Sequence, residues 1–360
     1  MLEESMAELT SRIGAAADEL VITSGATESN NLALLGCCLH PRQQRRKIVS
    51  LISEHKAVLD PLRRLEQIGF EVQRLPVAQN SEAVPGLCDI DQLRDAIDEQ
   101  TVIVSVMLAN NEIGTIQPLR EIADLCHAQG ALLHSDATQA VGRLPINVDE
   151  LGVDLLSFSA HKFYGPKGVG GLFVRRRDRR VKLQAQIVGG GQQQNLRSGT
   201  MNSAGLVGMA VALSKCYQLN NWVGPSSGIG VEQRRIFDLR QRLYEQLKSA
   251  LPNIRLNGPS LALPESGKVL NRLAGNLNLD FFPIEGQSLM LECPELAISS
   301  GSACTSADPR PSHVLEAIGL SVEQSRSSLR FGIGRQNSVA EIDRAAELLQ
   351  RAVVKMRKLL

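Results

Sequence analysis

No stretch of this sequence stays apolar for the ~18 residues that a membrane-spanning helix needs. Its start, Met1-Leu-Glu-Glu-Ser-Met6, is acidic and amphipathic and lacks the charged-then-apolar pattern of a secretion signal. Net charge is nearly absent: 39 basic and 38 acidic residues leave +1, which gives no long-range field to recruit nucleic acid or an anionic membrane. The run from Arg175 to Arg180 is local and is expected to be a solvated face after a strand. Cys-x-x-Cys spacing is also missing. The seven cysteines (Cys37, Cys38, Cys88, Cys126, Cys216, Cys293 and Cys304) are odd in number and lie mostly in apolar segments, so neither a disulfide frame nor a zinc site is expected. No internal repeat or low-complexity tract occurs. These absences predict a soluble, cytoplasmic protein with reduced thiols and with neither nucleic acid nor membrane as a partner.

With 360 residues, 43% of them apolar, the chain can bury a large core and form two domains. Short runs rich in Val, Ile and Leu, at 19–23, 47–52, 70–75, 101–107, 131–134 and 153–158, alternate with segments of helical period. That alternation predicts an α/β fold, a mainly parallel sheet covered by helices on both faces. Ligands of such sheets bind beyond the carboxyl ends of the strands. A Gly/Pro/Ser-rich stretch at 220–230 breaks the pattern before a charged amphipathic helix from about Val231 to Leu247. The domain boundary is placed there, giving 1–220 and 221–360. The second part mixes strands with helices and closes with a helix from about Ser338 to Leu359.

The polar residues at the strand ends carry the chemistry. The segment Leu155-Leu-Ser-Phe-Ser-Ala-His161-Lys162 delivers a lysine to the end of an apolar strand, beside His161 and small hydroxyls. A lysine is a poor nucleophile at its ordinary pKa of about 10.4, but partial burial beside His161 and Lys167 favours the neutral form that makes a Schiff base. The first strand ends in Thr23-Ser-Gly-Ala-Thr27 and runs into a helix, whose amides and dipole suit either a phosphate or an ordinary cap. Asp136 ends the strand from Ala131, where it could keep a pyridine nitrogen protonated or cap the next helix. Asn111 follows another strand and could reach a polar ring edge, and His55 could lie against an aromatic ring or move protons. Four strand ends bearing Thr27, His55, Asp136 and Lys162 describe a pyridoxal phosphate pocket. Small residues around Cys304 make an accessible loop suited to a reactive thiol.

Read together, Ser-Gly-Ala-Thr-Glu-Ser-Asn, Glu-His-Lys-Ala-Val-Leu-Asp, Asn-Asn-Glu-Ile-Gly, Asp-Ala-Thr-Gln, Ser-Phe-Ser-Ala-His-Lys, Arg-Ser-Gly-Thr and Ser-Ser-Gly-Ser-Ala-Cys-Thr-Ser resemble the cysteine desulfurases. These are pyridoxal-phosphate-dependent enzymes of the class V aminotransferase family. The resemblance runs in order from about residue 20 to residue 335. It implies a fold type I architecture, a seven-stranded-type sheet covered by helices and a smaller α+β carboxyl-terminal domain.

By resemblance, Lys162 bonds to the cofactor and moves protons, Asp136 pairs with the pyridine nitrogen, and Gln139 and Asn111 meet the ring oxygen region. His55 stacks on the ring, Ala26, Thr27, Ser159 and His161 hold the phosphate, and Arg330 grips the substrate carboxylate. Thr200 matches a residue that reaches the neighbouring subunit's phosphate, which implies a homodimer. Cys304 takes sulfur from L-cysteine as a persulfide, releases L-alanine, and hands the sulfur to an iron-sulfur scaffold or a thiolation carrier. Two departures stand out. By the resemblance, Met1 falls inside the helix that follows the family's usual amino-terminal segment with its substrate-entrance strand, so either the true start lies upstream or part of the active-site wall is lacking, and Gln192 and Gln193 stand where relatives carry a His-Glu or Gln-Glu pair. The other readings are a selenocysteine lyase or related lyase, and a catalytically impaired interaction subunit on the same scaffold.

Overall fold

A computed structural model describes residues 1–222, 229–263, 270–300 and 311–359. They form two compact units. The first holds Met1–Leu75, Cys88–Ala109 and Gln117–Gly230, and the second holds Pro76–Leu87, Asn110–Ile116 and Val231–Leu360. Among the described residues no helix is long and apolar enough to cross a membrane.

In the first unit the strands are β1 (Leu20–Thr23), β2 (Lys47–Leu51), β3 (Glu71–Leu75), β4 (Thr101–Ser105), β5 (Leu132–Asp136), β6 (Leu155–Ser159) and β7 (Gly170–Val174). Its helices are α1 (Leu2–Ile13), α2 (Ala26–Cys38), α3 (Lys56–Gln67), α4 (Ile90–Ala96), α5 (Leu119–Ala128), α6 (Val148–Leu151) and α7 (Ser203–Asn220). The seven strands form one sheet in the order β1-β7-β6-β5-β4-β2-β3. Neighbours from β3 through β6 run parallel, whereas β7 is antiparallel to both β6 and β1. The mainly parallel sheet read from the sequence is therefore present. Strands β4, β6 and β7 are buried along their whole lengths and β5 from Leu133 on, as strands of a covered sheet must be. Val21, Leu34, Ile48, Leu62, Ile103, Leu155 and Leu172 share one core that seats α2 and α3 on the sheet. Each such side chain contributes about 1.5–3 kcal/mol through burial.

Local chemistry sets the helix starts. Asp89 and Asn147 cap α4 and α6 with their side chains, and Asn202 accepts from Gly205 N to open α7. At the outer edge of the sheet, the side chain of Gln193 behaves like a strand residue. Its Oε1 accepts from Ile22 N at 2.6 Å and its Nε2 donates to Ile22 O at 2.8 Å. The arginine run forms the expected exposed face from Arg177 to Arg180 but departs from it at its start. Arg175 is buried, donating to Val153 O at 2.9 Å, Val148 O at 2.8 Å and Asp149 Oδ1 at 2.7 Å, so it is a satisfied internal cation and no part of a solvated face.

The second unit has strands β8 (Arg255–Leu256), β9 (Asn276–Asp280), β10 (Ser299–Ser300) and β11 (Ser328–Gly332) in one antiparallel sheet ordered β10-β11-β9-β8. Helices α8 (Val231–Ala250), α9 (Gly286–Glu292), α10 (His313–Ala317), α11 (Val322–Arg326) and α12 (Val339–Arg357) accompany it. Capping boxes built from Ser321 with Gln324 and Ser338 with Glu341 start α11 and α12. Leu243, Leu247, Leu277, Leu279, Leu329 and Leu349 form the core.

Candidate active site

In the first unit the parallel register brings the carboxyl ends of β2, β4, β5 and β6 to the same edge. Asp136, the last residue of β5, is buried there. Its Oδ1 accepts from Thr138 N at 2.9 Å, a local turn that accounts for the capping reading, and its Oδ2 accepts from Asn30 Nδ2 at 2.7 Å. Among the described residues no cation pairs with it. A buried carboxylate with neutral donors alone is a costly charge, and a protonated ring nitrogen is a partner of the right sign and shape. Asn30, on α2, is missed by motif reading because nothing in a sequence brings it to Asp136.

Two residues earlier in β5, His134 is buried between strands. Its Nδ1 lies 2.8 Å from Ser105 Oγ on β4 and its Nε2 lies 3.0 Å from Ser157 Oγ on β6. Burial pushes its pKa down to about 4, while the Asp136 charge pulls the other way, so the ring is neutral at pH 7. The parallel register, which sets Ser105 and Leu155 opposite His134, brings the Ser105 and Ser157 hydroxyls to the ring.

Strand β6 ends at Ser159 in a tight turn, Ala160–Phe163, that carries His161 and Lys162. Ser159 Oγ and His161 Nδ1 are 3.1 Å apart. Desolvation, then the charges of Lys162 and Lys167, holds the His161 pKa below its usual value and favours the neutral ring. Arg143 donates to Lys162 O at 3.3 Å and to both oxygens of Gln139, which follows β5.

At the opposite side of the turn, β1 runs into α2 through Gly25, whose φ of 151° suits glycine. A Cβ on Gly170 would lie 2.7 Å from Gly25 Cα, so β7 comes this close to the turn between β1 and α2 only because Gly170 lacks a side chain. Ala26 and exposed Thr27 open α2, which has no side-chain cap, and the amides of a first turn have no partner within their helix. Glu28 in that turn does not repel an anion unopposed. It accepts from Ser24 N at 2.7 Å and pairs with Arg197 at 2.9 Å, and these bonds hold its pKa low against the cost of burial. Such a helix start has the amides and the dipole that suit an anion.

His55 sits at the start of α3, where its Nδ1 accepts from Ala57 N at 3.1 Å, leaving the ring proton on Nε2. Thr200 is exposed, in a turn held by Gln192 Oε1, which accepts from Gly199 N at 2.9 Å. Gln192 and Gln193 thus serve geometry here, one fixing this turn and the other the β1 edge.

Asn111 and Arg330 belong to the second unit. Arg330, on β11, donates from Nη1 to Asn111 O at 2.9 Å and from Nε to Ser299 Oγ at 3.3 Å. Among the described residues it forms no salt bridge with a carboxylate, and its Nη2 makes no hydrogen bond. Next to Asn111, buried Glu112 accepts from Ser312 Oγ, and burial lifts its pKa to about 7 against the pull of Ser312 and Arg330. Cys304 lies outside the described residues.

The profile of the family described as aminotransferase class-V matches residues 1–345. The chain belongs to the class V aminotransferases. Its relatives narrow that to the cysteine desulfurases. Over 352 residues it is 45% identical to cysteine desulfurase IscS of Glaesserella parasuis serovar 5, covering 98% of this chain and 81% of that one. Among solved structures, a NifS-like protein matches 100% of this chain and 88% of its own, with a TM-score of 0.83 and 29% identity. A structure of SspA in complex with cysteine matches at TM-score 0.73 and 32% identity, over 92% of this chain and 86% of that one. This class V aminotransferase is therefore a cysteine desulfurase, an enzyme that takes L-cysteine as substrate and passes its sulfur to an acceptor. The family depends on pyridoxal phosphate, and the residues described above fit that group: a carboxylate lacking a cation at the end of β5, helix-start amides after β1, and a lysine after β6, which lies between those two strands in the sheet.

Proposed function

We propose that the enzyme binds pyridoxal 5'-phosphate over the carboxyl edge of its seven-stranded sheet and converts L-cysteine to L-alanine, leaving sulfur on Cys304 as a persulfide. The observation that carries this reading is Asp136, a buried carboxylate held by two neutral donors. When bound, the cofactor supplies an electron sink for the substrate carbanion.

The chain's residues do the rest. Lys162 anchors the cofactor and relays protons at Nζ. Ala26, Thr27, Ser159 and His161 bind the phosphate, with Thr200 reaching that of the neighbouring subunit in a homodimer. His55 lies on the ring with its proton on Nε2, and Gln139 and Asn111 face the ring oxygen. Arg330 orients L-cysteine by a two-point grip on the carboxylate, a task its fork suits. Cys304, as thiolate, attacks the substrate sulfur. An S–S bond forms as the C–S bond breaks, the electron pair returns to the substrate carbon skeleton, and that carbon is protonated to give alanine. No outside oxidant or reductant is consumed. The persulfide then passes to an iron-sulfur scaffold or a thiolation carrier.

Alanine and persulfide formation from L-cysteine by the cofactor-loaded protein tests this, alongside Cys304→Ala and Lys162→Ala. Loss of turnover in both variants is expected, with yellow colour kept in Cys304→Ala and lost in Lys162→Ala. Turnover that persists without Cys304 would sink the assignment of the acceptor thiol.

A further inference from the structure

One guanidinium lies behind two of the residues assigned to the cofactor, and the reaction scheme makes no use of it. Arg143, half-buried on the segment after β5, donates from Nη1 to Gln139 O at 3.3 Å and to Gln139 Oε1, and from Nη2 to Lys162 O at 3.3 Å. A guanidinium has donors only, so the carboxamide atom facing it is the oxygen. The amide nitrogen of Gln139 is therefore turned away from Arg143, and its N–H groups have no partner among the described residues.

We propose that Arg143 is a positioning residue of the desulfurase site: it locks Gln139 with its N–H donors presented to an anionic ring oxygen, and ties that side chain to the turn carrying Lys162. The proposal rests on the reading that Gln139 faces the ring oxygen of pyridoxal phosphate. An unrestrained carboxamide rotates by half a turn at little cost and would then set its own oxygen against the anion, losing the hydrogen bond and adding repulsion. A planar fork spans both anchors at once, which an ammonium on a flexible stem does poorly.

The test is a double-mutant cycle on cofactor affinity, read by fluorescence titration of the apo protein with pyridoxal phosphate, with the pH midpoint of the bound cofactor's yellow absorbance as a second readout. Arg143→Met is expected to weaken binding about ten-fold in the wild-type background and less than about two-fold in a Gln139→Leu background. It should also raise the absorbance midpoint, because removing a nearby cation makes the protonated form of the cofactor linkage easier to keep. The apo unfolding temperature checks folding, and Arg143→Lys should recover part of the affinity by restoring a donor to Gln139 Oε1. Equal losses in the two backgrounds would overturn the proposal while leaving the role of Gln139 intact. If Gln139→Leu alone leaves affinity unchanged, Gln139 does not face the cofactor and both readings fall.

Discussion

If Arg330 grips the substrate carboxylate as proposed, its hold is a matter of spare donors: two nitrogens are spent on Asn111 O and Ser299 Oγ, and the third is not. Arg330→Lys keeps the charge and loses the fork, so KM for L-cysteine should rise roughly 10–100-fold with a smaller change in kcat, measured by alanine release. His134 gives a pH signature. Its folded pKa of about 4 lies below the unfolded value of about 6.5, so between these values the unfolded chain binds more protons. The stability it contributes is present above about pH 6.5 and lost as pH falls towards 4. Urea unfolding should show wild type losing more than His134→Gln across that window, by on the order of 3 kcal/mol. Residues of this kind separate what sequence reveals from what it conceals. Lys162, Asp136 and His55 could be picked out as candidates because each lies at or just after a strand end within a recognisable motif. Asn30, Arg143 and His134 were not, since their partners lie 106, 19 and 29 or 23 positions away and only the folded register brings them together.

The elements β6, β7 and the start of α2 meet at glycines. A Cβ on Gly170 would stand 2.5 Å from Phe158 O and 2.7 Å from Gly25 Cα, so Gly170→Ala must separate β7 from β6 and from the turn that opens α2. A loss of about 1–3 kcal/mol in stability is expected. Cofactor affinity should fall with it, since Ala26 and Thr27 follow Gly25 directly. Thermal unfolding and cofactor titration check the two effects together, and an unchanged affinity would separate the α2 amides from phosphate binding. The alternation of apolar runs with helical segments announced the sheet, but the antiparallel entry of β7 had no counterpart in the pattern. A buried strand reads the same in either direction, and what settles its sense is the short return from the Lys162 turn. Arg175 misled for a related reason. A guanidinium among arginines looks solvated until the backbone oxygens that receive it are known.

For the whole molecule, the shared-site reading makes a prediction that single variants do not. If Thr200 serves the neighbouring subunit's phosphate, a mixed dimer of Lys162→Ala and a Thr200→Val variant pairs two faults in one site and leaves the other site intact. Equal amounts of the two weakened proteins after subunit exchange, with about half of the dimers mixed and one site of two intact in each, should then regain about a quarter of wild-type activity, whereas sites confined to one chain would stay at the average of the two. The near-neutral charge of +1 gives no strong field to oppose or steer such association.

An open sheet also ends in two raw margins, and exposed backbone there invites the edge of another molecule to add on. At Ile22 this chain supplies a stopper of its own, a carboxamide that mimics a peptide group and occupies both the amide and the carbonyl. A glutamate at position 193 could accept but not donate, and would leave that carbonyl open. The neutral residue at 193 thus closes, at Ile22, both of the groups to which another strand would have to bond.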